Sequence, residues 1–334
     1  MKHKAYSILT LLMSAVMLAS CIDVEEELSG NGNSVGTIHY TGTAPKDIPL
    51  YTVAIRLVNF TSIQKTFDKG ALGDVSVPSG QYKSYGFSSG DFTSDHQTAV
   101  SSGEPFSELY ISQATYTGTY GSYNSYSDYV NTLKTPLSIC SSSVYDIHSG
   151  TKTSVPMRFK TVSLQLNVNF SIRKDQGAEP YIIEKVETEL SGVPSRIDIL
   201  SGNIDCTETH NVAYTTAVTA DKYTSTLLVC KGNMEILSLT APENSSATEG
   251  PGILQAHIHV LTQSGIRKVL HGQINLYNTI RNARIATYSP DAATLTNNVR
   301  TATLNIAAEC TVDGDGIKVK SGSGDRWNQA ENGS

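Results

Sequence analysis

Between Thr161 and Arg173 every even-numbered position is apolar: Val162, Leu164, Leu166, Val168, Phe170 and Ile172, with mainly polar residues between them. Successive side chains of a strand point to opposite faces, so this period of two predicts a half-buried β-strand. Other β-rich runs occur at 50–60, 80–87, 223–229, 234–240, 253–262, 268–276 and 301–307. Gln263-Ser264-Gly265, between two of these runs, predicts a hairpin turn. Segments with a period of 3.6 are scarce, and at most a short helix is expected around 125–133 or 278–286. The pattern predicts an all-β protein, most simply of antiparallel β-sandwiches.

The chain has 334 residues, enough for about two domains at roughly 100 to 200 residues each. The stretch 110–129 is dense in Tyr, Ser, Gly and Thr, and 141–154 is a second polar run. One sandwich is expected at 36–138 and another at 139–320, with a polar tail at 321–334.

Charge narrows the partners. The 25 Lys and Arg against 31 Asp and Glu give a net charge of −6, opposite to the basic surface that nucleic-acid phosphates require. Nucleic acid is excluded as an expected partner. The N-terminus has a basic start, Lys2-His3-Lys4, and a mostly apolar run from Ala5 to Ala19. That run is too short to span a membrane with those flanks and predicts a signal peptide at 1–20. Its ending, Leu18-Ala19-Ser20-Cys21, resembles a bacterial lipobox. The resemblance implies cleavage before Cys21 and lipidation, including palmitate, at that residue. Asp23, Glu25, Glu26 and Glu27 follow at once and resemble the surface-export signal of Bacteroidales lipoproteins. A flexible tether at 21–35 is expected, with the mature protein held on the outer membrane.

An exported chain meets an oxidising compartment, so Cys140, Cys206, Cys230 and Cys310 are candidates either for disulfides of undetermined connectivity or for buried free thiols. Gly86-Phe87-Ser88-Ser89-Gly90 matches G-x-S-x-G, with Asp95 and His96 nearby, but no helix pattern follows as a nucleophile elbow needs. His257 and His259 alternate on one strand face and His271 lies on the expected partner strand. Three imidazoles there could hold zinc or copper, but a polar outer sheet face is preferred because no acidic or cysteine ligand is in evident register. Asp313-Gly314-Asp315-Gly316 lacks the distal Glu of a calcium loop and predicts a turn. No catalytic residue, metal site or cofactor is expected.

Tyr116, Tyr120, Tyr123 and Tyr126 are the candidate contact surface, because a tyrosine offers a rigid apolar ring and a hydroxyl at low entropic cost. The alternative is a loop whose rings cover a sandwich edge.

Several segments together resemble a family. These are the lipobox, Gly80-Gln81-Tyr82-Lys83-Ser84-Tyr85-Gly86-Phe87, Val155-Pro156-Met157-Arg158-Phe159-Lys160, and Leu190-Ser191-Gly192-Val193-Pro194-Ser195-Arg196-Ile197-Asp198-Ile199. The chain is similar to fimbrillin-like and fimbrial anchor lipoproteins of Bacteroidales, of the type V pilus class. The resemblance implies two tandem transthyretin-like sandwiches, fimbrial subunits as partners, and a role in fimbrial anchoring, assembly or adhesion through β-strand addition. In that family polymerising pilins are cut after a basic residue near the mature N-terminus. Here the first Arg after Cys21 is Arg56, inside an expected strand, and only Lys46, beside Pro45, is basic before it, so the expected arginine site is missing and a subunit that keeps its lipid is implied. The alternative is a surface glycan-binding lipoprotein with a host or glycan ligand, against which stands the presence of a single Trp, Trp327.

Overall fold

Strict alternation is realised most fully in the strand Leu164–Lys174. Leu164, Leu166, Val168, Phe170 and Ile172 all point into one core, while Asn167 and Asn169 face outward and bond the amides of Asn233 and Asn305 on the flanking strands. Leu227–Ile236 pairs with it antiparallel, and Thr301–Asn305 and Cys310–Val312 pair with it parallel. The computed structural model describes residues 34–45, 48–57, 62–68, 71–88, 91–94, 109–117, 128–177, 179–219, 221, 223–241, 243–245, 250–318 and 326–329. Among them no helix is long and apolar enough to cross a membrane.

Facing this sheet is a larger one, centred on Ile204–Thr215, Tyr181–Asp198, Ile253–Thr262 and Arg267–Asn275. Leu190, Val193, Leu254, Ala256, Ile258 and Val260 close the core from that side. Gln263-Ser264-Gly265 turns the hairpin as expected, with Gly265 in the left-handed region at φ 86°. The helix expected near 278–286 is Tyr277–Ala283, which buries Ile280 and ends at Arg284 with φ 48°. In the other candidate helical stretch the chain forms the short strand Asp128–Val130.

The first sandwich packs a three-stranded sheet, Asp74–Pro78, Val35–Thr41 and Lys152–Pro156, on a six-stranded one that includes Ser62–Phe67, Leu50–Arg56, Gly80–Ser88 and Ser138–Ser141. Leu50–Arg56 reads as a nearly continuous apolar run because both of its faces are covered. Ala54 enters the first core, and Val53 and Ile55 join Tyr85 and Phe87 against Ile197, Ile199, Ile204 and Leu295 of the second sandwich. The two sandwiches therefore share an apolar interface.

The fold is all-β and built from sandwiches, but its sheets are mixed where antiparallel ones were expected, since Val35–Thr41 pairs parallel with Lys152–Pro156. The expected division after residue 138 falls at the first residue of Ser138–Ser141, which pairs with Gly80–Ser88. Pairing carries the first sandwich on to Lys160–Thr161, while Tyr110–Gln113, from the first half of the chain, pairs with Tyr181–Asp198 in the second. The stretch read as a polar tail contains the strand Trp327–Gln329, which pairs with Arg267–Asn275 and buries Trp327.

The four described cysteines are free thiols. Burial pushes the thiols of Cys140 and Cys230 up to about 12 and raises that of Cys310, so these three behave as small apolar core residues and not as nucleophiles. Asp313 Oδ1 accepts from the amides of Asp315 and Gly316, making the expected turn.

Candidate contact surface

Tyr110–Gln113 leads into a two-stranded ribbon, Thr115–Thr117 with Asp128–Val130, in which Tyr116 lies opposite Tyr129. Alternation explains the placement: Val130 points into the main core, so Tyr129 points to the opposite side, over the outer face of the larger sheet. There it is fully buried, and Tyr116, 41% exposed, stacks on it with ring centroids 5.6 Å apart and planes 24° apart.

Beneath the ribbon is a chain of buried polar groups. Tyr129 donates its hydroxyl to Glu189 Oε2 at 2.7 Å, and His257 Nε2 donates to Glu189 Oε1 at 2.8 Å. Glu189 and His257 are each 2% exposed, so the carboxylate is compensated by two donors and not by water. His257 Nδ1 lies 2.8 Å from His271 Nδ1, directly across the strand pair. Of these two ring nitrogens one donates and the other accepts. One step along, His259 Nε2 donates to Glu187 Oε2 at 2.6 Å and Lys185 donates to the other oxygen at 2.7 Å. Burial opposes ionisation of Glu187, but the bonds from Lys185 and His259 outweigh it and hold the carboxyl below its usual range. On the rim, the Arg196 guanidinium lies 3.7 Å over the ring of Tyr110.

The three histidines lie on a polar outer sheet face, but the part of it around His257 is buried. His257 is buried, and acidic partners that alternation in Glu187-Thr188-Glu189 places on the same face stand beside both histidines of the strand. The three do not converge on a point: Glu189 and His271 occupy opposite nitrogens of one imidazole, and among the described residues no three His, Cys, Asp or Glu form a metal-binding group. Ser88 of the G-x-S-x-G match lies within Gly80–Ser88, buried, with its Oγ accepting from the Ser138 amide at 2.9 Å. Ser89, Asp95 and His96 lie outside the described residues, as do Cys21, Asp23, Glu25, Glu26, Glu27, Tyr120, Tyr123 and Tyr126.

Burial, followed by the neighbouring His257 and His259, lowers the His271 imidazole to about 4. The unfolded chain binds that proton more readily, so the His271 contribution to stability is full above about pH 6.5, falls as pH drops towards 4, and is flat below. Denaturant unfolding between pH 7 and 4 should show a loss on the order of 1–2 kcal/mol, discounted for partial solvent screening, that His271→Gln removes.

Solved structures to which the chain is similar include a candidate adhesin from Bacteroides ovatus ATCC 8483, at 12% identity and TM-score 0.49, covering 86% of this chain and 94% of that one. The fimbrial anchor protein Mfa2 from Porphyromonas gingivalis matches at 10% identity and TM-score 0.42, over 80% and 89% respectively. The tip fimbrial protein Mfa3 from the same organism, truncated at its C-terminus, matches at 11% identity and TM-score 0.34, over 89% and 98%. No protein-family model matches the sequence, and no curated protein does.

Proposed function

We propose that the protein is a non-enzymatic outer-membrane surface lipoprotein, anchored through Cys21, that acts as a fimbrial anchor or as an assembly or adhesion subunit. The observation that carries this reading is the Tyr116–Tyr129 stack: an exposed aromatic ring held in place by a fully buried one, which is fixed in turn by Glu189. A ring so held loses little conformational freedom when a partner covers it, which favours affinity. The lipobox-like ending at Cys21 and the acidic Asp23, Glu25, Glu26 and Glu27 support a tether facing outward. Ser62–Phe67, at the edge of its sheet with mostly exposed side chains, supports a contribution from strand addition by fimbrial subunits. The commitment of Ser88 to Ser138 supports a non-enzymatic role.

Two variants test this function. Cys21→Ala should move the protein from the membrane fraction to the soluble one without unfolding it, because two acyl chains anchor stably where one is marginal. Changing Tyr116, Tyr120, Tyr123 and Tyr126 together to Ser should weaken capture of the native host's fimbrial subunits at least tenfold and leave Tm within a few degrees. A sharp fall in Tm with capture intact would reject the contact surface in favour of edge packing.

A further inference from the structure

The junction of the two sandwiches holds a second site. The edge strand Lys160–Thr161 and the residues before it form one wall, and the turn at 199–204 with the segment 296–300 forms the other. They enclose a cleft of about 490 Å³, within the range of roughly 300–1,000 Å³ typical of small-molecule sites, which favour such junctions.

Its lining is cationic in a chain of net charge −6. Arg158, Lys160 and Arg300 line it, and among the described residues no acidic one does. Among the described residues Arg158 and Lys160, both exposed, have no ion-pair partner. Arg300 spends Nη2 on Glu235 at 2.8 Å, behind the wall, while its Nη1 is buried without a hydrogen-bond acceptor among the described residues. Arg300 is thus spent or closed off from the cleft, and Arg158 and Lys160 are the cations it offers; a carboxylate or sulfate is the group whose planar or forked oxygens suit a guanidinium such as that of Arg158. The remaining surface is mixed. Ser141, Thr161 and Thr296 line it beside Leu200 and Val299, with the Thr161 hydroxyl bonded to that of Ser138 and the Thr296 hydroxyl donating to Asn203. A cleft this large would be underfilled by a bare anion. One that offers cations, hydroxyls and aliphatic patches matches a ring bearing a carboxylate, several hydroxyls and an apolar C–H face.

We propose that this cleft binds an acidic sugar of the hexuronate class, as a terminal residue or a short oligomer. The site is separate from the tyrosine ribbon, and its occupancy does not depend on the fimbrial reading above. Positive charge focused in the cleft of an acidic protein raises the local concentration of an anionic ligand and makes its binding salt-sensitive.

Calorimetric titration of the full chain tests this, using glucuronic acid and a glucuronate-terminated disaccharide beside glucose, cellobiose and sodium sulfate. The expected result is saturable binding of the uronates alone. It should weaken about tenfold in the Arg158→Gln, Lys160→Gln double variant and also weaken with rising salt, while Tm holds because both side chains are exposed. Lys65→Gln, on the distant edge strand, should bind like the parent. No saturable uronate binding, equal binding of the neutral sugars, sulfate binding as tight as uronate, or uronate binding unchanged in the double variant would each overturn the assignment.

Discussion

Trp327→Ala should unfold the second sandwich about 6–20 °C below the parent. The ring is 3% exposed and lies 5.3 Å from Phe170 between centroids, and its Nε1 donates to the Ala308 carbonyl at 3.0 Å. Gly272 on the paired strand makes room for it, since a Cβ there would come within 3.2 Å of the indole. Truncating a buried Trp costs about 3–5 kcal/mol, and each kcal/mol lowers Tm by about 2–4 °C in a domain of this size. Trp327→Phe keeps most of the volume and loses the hydrogen bond, so about 1–2 kcal/mol is expected. Deleting Gly316–Ser334 should exceed the point variant, because it also removes Ile317 from the same core and the pairing of Ile317–Lys318 with Cys310–Val312. Melts followed by circular dichroism check all three variants. Unchanged stability on deletion would mean that the C-terminal strands are available to a partner.

The prominence of that tryptophan was hidden by its surroundings. Trp327 sits among Ser, Gly, Asp and Asn, and a single apolar residue has no period, so composition reads as a tail where the chain in fact returns to a sheet edge. Strands with one covered face were legible at once, as in Leu164–Lys174, where every second residue is buried. Tyr181–Asp198, the spine of the larger sheet, was not. Its alternation is broken by register shifts around Gly192, at φ 90°, and after Pro194, residues that in sequence mark a turn. Leu227–Ile236 is one strand where two runs were expected, because Lys231, Gly232 and Asn233 interrupt the hydrophobic signal without interrupting the pairing. Domain limits are a matter of which strands pair, and the parallel bond between Val35–Thr41 and Lys152–Pro156 joins segments more than a hundred residues apart. For the candidate site the tyrosines were visible by density. Their footing in Glu189 and His257 required two separate alternating strands to be placed side by side.

That footing yields the other large effect. Glu189→Ala removes the acceptor shared by the Tyr129 hydroxyl and His257 Nε2, both inside the protein. Breaking a buried charged network by deleting one partner costs about 3–5 kcal/mol, because the remaining donors lose their partner and cannot regain water. Glu189→Gln keeps the shape and one acceptor oxygen, so a loss nearer 1 kcal/mol is expected. The damage should also be local. Val130 anchors the ribbon from the core side, but Tyr129 would no longer be held, and the Tyr116 ring stacked on it would lose its support. Amide hydrogen exchange across Thr115–Thr117 and Asp128–Val130 should therefore quicken by an order of magnitude or more in Glu189→Ala, while Leu164–Lys174 keeps most of its protection. Capture of fimbrial subunits should weaken in the same variant even though Glu189 touches no partner, because the exposed ring is then ordered only at the cost of binding energy. Unaltered exchange in the ribbon would show that the tyrosine surface stands without its carboxylate, and the link between the buried chain and the contact face would be lost.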